Sequence, residues 1–382
     1  MAIAAAITYI ISTSYSMNLY NNLIADVQQR AEMYTNLEQI DTYIRSYYSG
    51  SIDEAELKES LAEAYISVLD SDKAVYYNPD EYFVYKEHLS GTHLGIGVYV
   101  EESGGCPCVI DVLPNSPAEN AGIAVGESIV AINGESVLEM GYEKAYSLIT
   151  AEAGTQLSLT IRSEGVDRTV NLATVQMTVA SVSTQTFDGY AYIKVVNFSE
   201  KTYRQFMAAY SMLLSSDDVK GIIIDLRNCS GVIFEPVFNL LNVLLPKGCV
   251  PYWLTDSYGA EASADPTDGD NAPGVPVAIL VNSGTNGPAE LFAAAMRDNL
   301  SAYIIGNTTG GNAEYLETFD LYDNTAISLP TGVLRSDKTS FMSVGVKPDF
   351  EIISGQDSNA AQGESTDAYI KKSIEILSQA SR

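Results

Sequence analysis

Between Asn36 and Tyr48, the residues Leu37, Ile40, Ile44 and Tyr47 return at three- and four-residue intervals. After the break at Ser49-Gly50, Leu57, Leu61, Tyr65 and Val68 repeat the pattern. This is helical spacing, and Ser51 followed by Glu54 reads as a capping box opening the second helix. The pattern predicts a helical N-terminal arm over 16–87. From His88 to Arg168 it changes to short strands and glycine-marked turns, with a β run at Gly95-Ile96-Gly97-Val98-Tyr99-Val100 and a hairpin closed by Ile132-Asn133-Gly134. One helix, Tyr142 to Thr150, interrupts the strands. This predicts a β-rich domain over 88–172. Over 173–353, apolar runs at 192–196, 221–226, 277–281 and 302–305 alternate with helical stretches at 203–215, 234–245 and 288–299. Such alternation predicts an α/β layer whose central strands are buried on both faces. The Asp-, Ala-, Gly- and Pro-rich stretch 256–274 reads as a mobile excursion. The tail 354–382 reads as a linker, 354–366, and a last helix ending at Gln379. The fold class is mixed α/β (α+β), without internal repeats.

A hydrophobic content of 46% over 382 residues suits ordinary globular packing and excludes a disordered chain. The 49 Asp and Glu against 21 Lys and Arg give a net charge of −28, which would repel a phosphate backbone and excludes nucleic acid as a partner. Four cysteines, Cys106, Cys108, Cys229 and Cys249, are too few for a dense disulfide framework. Cys106 and Cys108 with His93 match no standard zinc spacing, so neither a metal nor a cofactor is expected. Residues 1–15 begin with an apolar dozen, Met1 to Ser12, shorter than a membrane span needs. They read as the remnant of an anchor, implying a membrane-tethered or secreted protein outside the cytoplasm.

Residues 91–166 carry Gly95-Ile96-Gly97-Val98, then Leu113-Pro114-Asn115-Ser116-Pro117-Ala118, then Ile129-Val130-Ala131-Ile132-Asn133-Gly134. In that order the segments closely resemble a PDZ domain. The resemblance implies that a partner's C-terminus or extended segment adds as a strand beside Val98, its carboxylate held by backbone N–H groups of the glycine-rich loop. Gly95, Ile96, Gly97, Val98, Ala145 and Leu148 are the expected peptide-binding residues.

Farther on, Lys220-Gly221-Ile222-Ile223-Ile224-Asp225-Leu226-Arg227-Asn228 and Gly345-Val346-Lys347-Pro348-Asp349 resemble the core of the tail-specific, or C-terminal processing, serine peptidases. The likeness runs over about 35–378 and implies a crotonase-like α/β core. It also implies a serine nucleophile three residues before a glutamate, a lysine base about 25 residues later, and a glutamine that orients the lysine. Those positions read Gly287, Asn312 and Leu316 here. Glycine cannot attack a carbonyl, an amide cannot take the proton, and leucine can orient nothing by hydrogen bonding. The oxyanion-side loop becomes Cys229-Ser230-Gly231-Val232, retaining only Gly231, and Thr150 stands where the family carries an arginine at the end of the PDZ helix.

The expectation is therefore a pseudopeptidase that binds peptides without cleaving them. The alternatives are an endopeptidase using Ser283 or Thr285, for which Lys338 is the most suggestive base downstream, and a structural subunit. An active protease relative and a second copy of the chain are the further partners expected. His88 and His93 lie too far along the chain to complete a Ser-His-Asp set, and Cys229 reads as a small buried residue.

Overall fold

The computed structural model describes residues 27–215, 218–231, 233–352 and 367–380. The anchor segment expected at 1–15, Val232 and the linker 354–366 lie outside them. The chain divides into two compact units, 1–65 and 66–382.

In the first unit, helix α1 (27–47) is followed by the start of α2 (Glu54–Ser67). Asp53, not Ser51, caps α2: its carboxylate accepts from the N–H groups of Ala55 at 3.0 Å and Glu56 at 3.1 Å. Ser51 lies too early because the turn begins only at Asp53. Arg45 of α1 bonds Asp41 one turn earlier and Glu54 of α2, fixing the bend between the helices.

The expected arm is not wholly helical. A strand, β1 (Val75–Tyr77), pairs antiparallel with β18 (Ala326–Arg335) before α3 (Pro79–Ser90) begins. Asn78 caps α3, accepting from the Glu81 N–H, and the Glu81 carboxylate accepts from the Asn78 N–H in return.

The chain then enters the PDZ domain through β2 (Thr92–Gly95) and leaves through β9 (Val175–Thr178), which pair antiparallel as a ribbon. Between them one sheet runs in the order β3 (Val98–Ser103), β4 (Cys106–Val112), β5 (Ser128–Ile132), β7 (Gln156–Ser163), β8 (Val166–Ala173). The predicted hairpin forms between β5 and β6 (Glu135–Ser136), with Asn133 and Gly134 both at positive φ. Three short helices complete the domain: α4 (Pro117–Asn120), α5 (Val137–Met140) and α6 (Tyr142–Ile149).

The core sheet has the order β10 (Val182–Phe187), β11 (Tyr190–Val195), β12 (Gly221–Asp225), β15 (Val277–Val281), β16 (Tyr303–Gly306), β19 (Phe350–Glu351). All neighbours from β11 to β19 are parallel. A parallel sheet whose order rises steadily places every right-handed crossover on one face. Accordingly α7 (Thr202–Leu214), α8 (Glu235–Leu244) and α9 (Pro288–Leu300) pack with Ile193, Ile224 and Ile279. Alternate residues Tyr192, Ile223 and Ala278 face the other way and are covered by Ile370 and Leu377 of α10 (Ala368–Ala380). Burial on both faces explains the continuous apolar runs.

A second sheet, unforeseen in the sequence, joins β1, β18, β13 (Trp253–Asp256) and β14 (Glu261–Ser263), with β17 (Glu314–Asp320) also on β18. The stretch expected as a mobile excursion from 256 thus begins as a hairpin. Pro330 and Gly332, which look like strand breakers, sit in β18 beside a register shift at Tyr315 and Leu316, where the ladder tolerates them.

Candidate functional site

Loops leave the carboxyl ends of β12, β15 and β16 and converge, as expected for a parallel sheet. Thr285, fully buried, donates its hydroxyl to the Leu226 carbonyl at 2.8 Å and accepts from the Asn282 N–H at 3.0 Å. The Asn282 amide receives the Asn228 N–H at 2.9 Å and donates to the Asn228 side chain at 2.9 Å. Asn286 donates its N–H to the Cys229 carbonyl, and Gly310 its N–H to Thr285. Gly306, at φ +137°, lets the third loop close on the second, since a β-carbon there would lie 1.9 Å from the Val281 carbonyl oxygen.

Glu290 joins these loops. It is fully buried and accepts the N–H of Gly287 at 3.0 Å, of Gly311 at 2.7 Å and of Asn312 at 2.8 Å, and the hydroxyl of Thr309. Burial pushes its carboxyl upward while these four donors pull it down, and burial prevails. Because Gly287 and Asn312 share one carboxylate oxygen, the positions assigned to nucleophile and base are brought together. Gly231 joins them: a β-carbon on Gly287 would lie 3.2 Å from its carbonyl oxygen. Leu316 is half-buried on β17, opposite Pro330.

Gly287 has φ +57° and ψ −115° at the start of α9, a strained strand-to-helix turn of the kind that exposes a nucleophile. The next residue is Pro288, which has no N–H. The Gly287 N–H itself is spent on Glu290. Pro288 also suits the first position of α9, and its place immediately after Gly287 is legible in the sequence.

Other candidates fall elsewhere. Ser283 is exposed. Lys338 donates to the Asp298 carbonyl at 2.8 Å, and Asp298 lies eleven residues along α9 from Gly287, roughly 16 Å by the helix rise. Cys229 is fully buried, and burial pushes its thiol up, against thiolate formation. All four cysteines are free thiols. Thr150 ends α6 with its hydroxyl on the Tyr146 carbonyl at 2.9 Å.

In the PDZ domain, Ile96, Val98 and Ala145 pack into the domain core, and Leu148 is half-buried. The side chains expected to wall a groove thus lie in or against the domain core. The Ile96 N–H donates to the Ile149 carbonyl at 3.1 Å, tying the Gly95–Gly97 loop to the end of α6. Tyr99 instead meets the rings of His88 and His93 at centroid distances of 5.9 and 5.3 Å.

Residues 189–352 match peptidase family S41, and residues 109–163 match a PDZ domain. The carboxy-terminal processing protease CtpA of Bacillus subtilis is 28% identical over 310 residues, covering 80% of this chain and 66% of that protein. A carboxy-terminal-processing protease of Bartonella bacilliformis is 25% identical over 315 residues, covering 81% and 72%. The chain thus spans about two thirds of the length of these relatives. Among solved structures, a photosystem II D1 C-terminal processing protease aligns with a TM-score of 0.49 and 22% identity, over 83% of this chain and 86% of that one. The two matched segments coincide with the two sets of motifs in the sequence: the core of this chain matches peptidase family S41, with a PDZ domain matched ahead of it.

Proposed function

We propose that this chain is a pseudopeptidase that captures C-terminal or extended peptide segments through its PDZ domain and does not cleave them. The observation that carries the reading is Gly287, a residue without a side chain on the strained turn at the head of α9. Serine-to-nothing changes at such positions cost about 10⁶ in turnover. Pro288 supports the reading independently, because it removes the N–H beside the reacting position. Asn312 supplies an amide where a base is needed. The hydroxyl of Thr285 is occupied on both sides within the core, which speaks against the alternative nucleophile. The acidic chain works outside the cytoplasm, with peptides and an active relative as its partners.

A second copy of the chain is a further partner in this reading. Leu37, Ile40 and Ile44 form a helical stripe on α1 and are 42%, 54% and 43% exposed within the single chain, a face suited to pairing with itself.

The test is long incubation with an unfolded protein substrate, beside a Ser283→Ala, Thr285→Ala variant checked for folding, together with binding of a labelled peptide bearing a free or amidated C-terminus. No cleavage by either chain, and binding that needs the free carboxylate or an extended segment, is the expected result. Cleavage by the parent that the folded variant lacks would overturn it.

A further inference from the structure

The ribbon of β2 and β9 through which the chain enters and leaves the PDZ domain is fastened by a buried pair of titratable side chains that the peptide site does not use. Glu87, in the last turn of α3, accepts the Leu94 N–H with one carboxylate oxygen. Its other oxygen faces Nδ1 of His93 at 3.7 Å. Leu94 and His93 are neighbours in β2, paired with Gln176 and Met177 of β9. Glu87 is only 9% exposed and His93 only 4%. Nδ1 of His93 has no hydrogen-bond partner among the described residues. Beside the pair lies a cleft of about 340 Å³ that brings Glu87 and His88 of α3 together with Tyr99, Ile110 and Asp111 of the PDZ strands and Asn197 of the core. The parts of the fold that the ribbon joins are not packed tight there.

We propose that Glu87 and His93 form a proton-operated latch on the ribbon carrying the PDZ domain, closed when the pair holds one proton and released when that proton is lost. In the closed state the neutral acid faces the lone pair of Nδ1, to which it can donate after a small approach, while still accepting from Leu94. Once ionised, the carboxylate keeps this contact only if the imidazole moves its single N–H from Nε2 to Nδ1, whereas the neighbouring cleft offers it water. Turning toward the cleft gives up the Leu94 N–H and loosens β2 from α3.

The surroundings favour this order of events. Burial pushes the Glu87 carboxyl up to about 7, against the pull of the Leu94 N–H. Burial, with the nearby His88, pushes His93 down to about 4. The other titratable groups facing the pair are His88 on α3, Tyr99 on β3, Asp111 on β4 and Tyr146 on α6, with Asp80 of α3 acting on Tyr146. Burial lowers His88 and raises both tyrosines, so these three are neutral near pH 7. For Glu87 the folded value lies above the ordinary one. Its contribution is complete below about 4.5 and lost as pH rises through about 7. For His93 the folded value lies below. Its contribution is complete above 6.5 and lost as pH falls through about 4. The latch is closed between about 4 and 7.

A carboxyl moved from 4.5 to about 7 changes the opening equilibrium by at most about 300-fold over the whole range, of which at most about 10-fold falls between pH 6 and 8.5. Hydrogen exchange of the amides of 92–95 and 175–178 in the full chain, corrected for intrinsic rate and compared at pH 6 and 8.5, reads this directly. The parent loses protection in the ribbon with a midpoint near 7, Glu87→Gln stays protected throughout, and His88→Asn follows the parent. His93→Gln, which offers Glu87 a permanent N–H, moves the midpoint toward the ordinary carboxylate range. A flat parent profile, an unchanged profile in Glu87→Gln, or an unmoved midpoint in His93→Gln overturns the proposal.

Discussion

Replacing Gly287 by serine tests the proposal that the catalytic centre has been dismantled. The substitution should fold: a β-carbon at 287 meets only the Gly231 carbonyl oxygen, at 3.2 Å, and a non-glycine residue at φ +57°, ψ −115° costs about 1–3 kcal/mol. Gly287→Ser alone should show no cleavage, since Asn312 cannot accept the serine proton. Adding Asn312→Lys and Leu316→Gln supplies a base and a group to orient it, yet Pro288 still presents no N–H to a developing oxyanion. The loss of one such donor costs about 10²–10³ in rate, or about 2.7–4 kcal/mol of transition-state stabilisation. Adding Pro288→Ala to the triple variant should therefore raise cleavage of an unfolded protein substrate by about that factor. Denaturant melts of each variant separate this gain from a change in folding. A triple variant as fast as the quadruple one would refute the role given to Pro288, and cleavage by Gly287→Ser alone would refute the assignment of Asn312.

Arg227 is 3% exposed and bonds both Asp225, at 2.6 Å, and Asp367, at 2.7 Å, so Arg227→Met removes the cation between two buried carboxylates and should cost about 3–5 kcal/mol in urea unfolding; a change under about 1 kcal/mol would contradict the burial of the triad. Ile40→Glu with Ile44→Glu should turn a dimer into a monomer by light scattering with little effect on the melt of the single chain, whereas a parent that is already monomeric refutes pairing through α1.

Much of the fold could be read from local pattern. The runs at 222–224 and 277–281 are apolar at every position because the strands are covered on both faces, and the helices around them follow from spacing alone. Asn133-Gly134 declares its turn because few residue pairs accept two positive φ values. The proposed loss of side-chain chemistry at Gly287, Asn312 and Leu316 likewise rests on residue identity.

Other features exist only once distant segments meet. The sheet of β1, β13, β17 and β18 draws on positions from 75 to 335, and its longest strand contains a proline that local reading takes for a break. Glu290 looks like any helical glutamate until the 309–312 loop folds onto it, and Arg227 looks like a surface arginine until Asp367 arrives from 140 residues away. His93 is buried only once α3 and Tyr99 cover it. Sequence periodicity fixes which face of an element is apolar, so it determined the layers, while the reading of Gly287, Asn312 and Leu316 rests on residue identity. Which buried polar group meets which partner depends on chain crossings of long sequence separation, and those the tertiary structure alone decided.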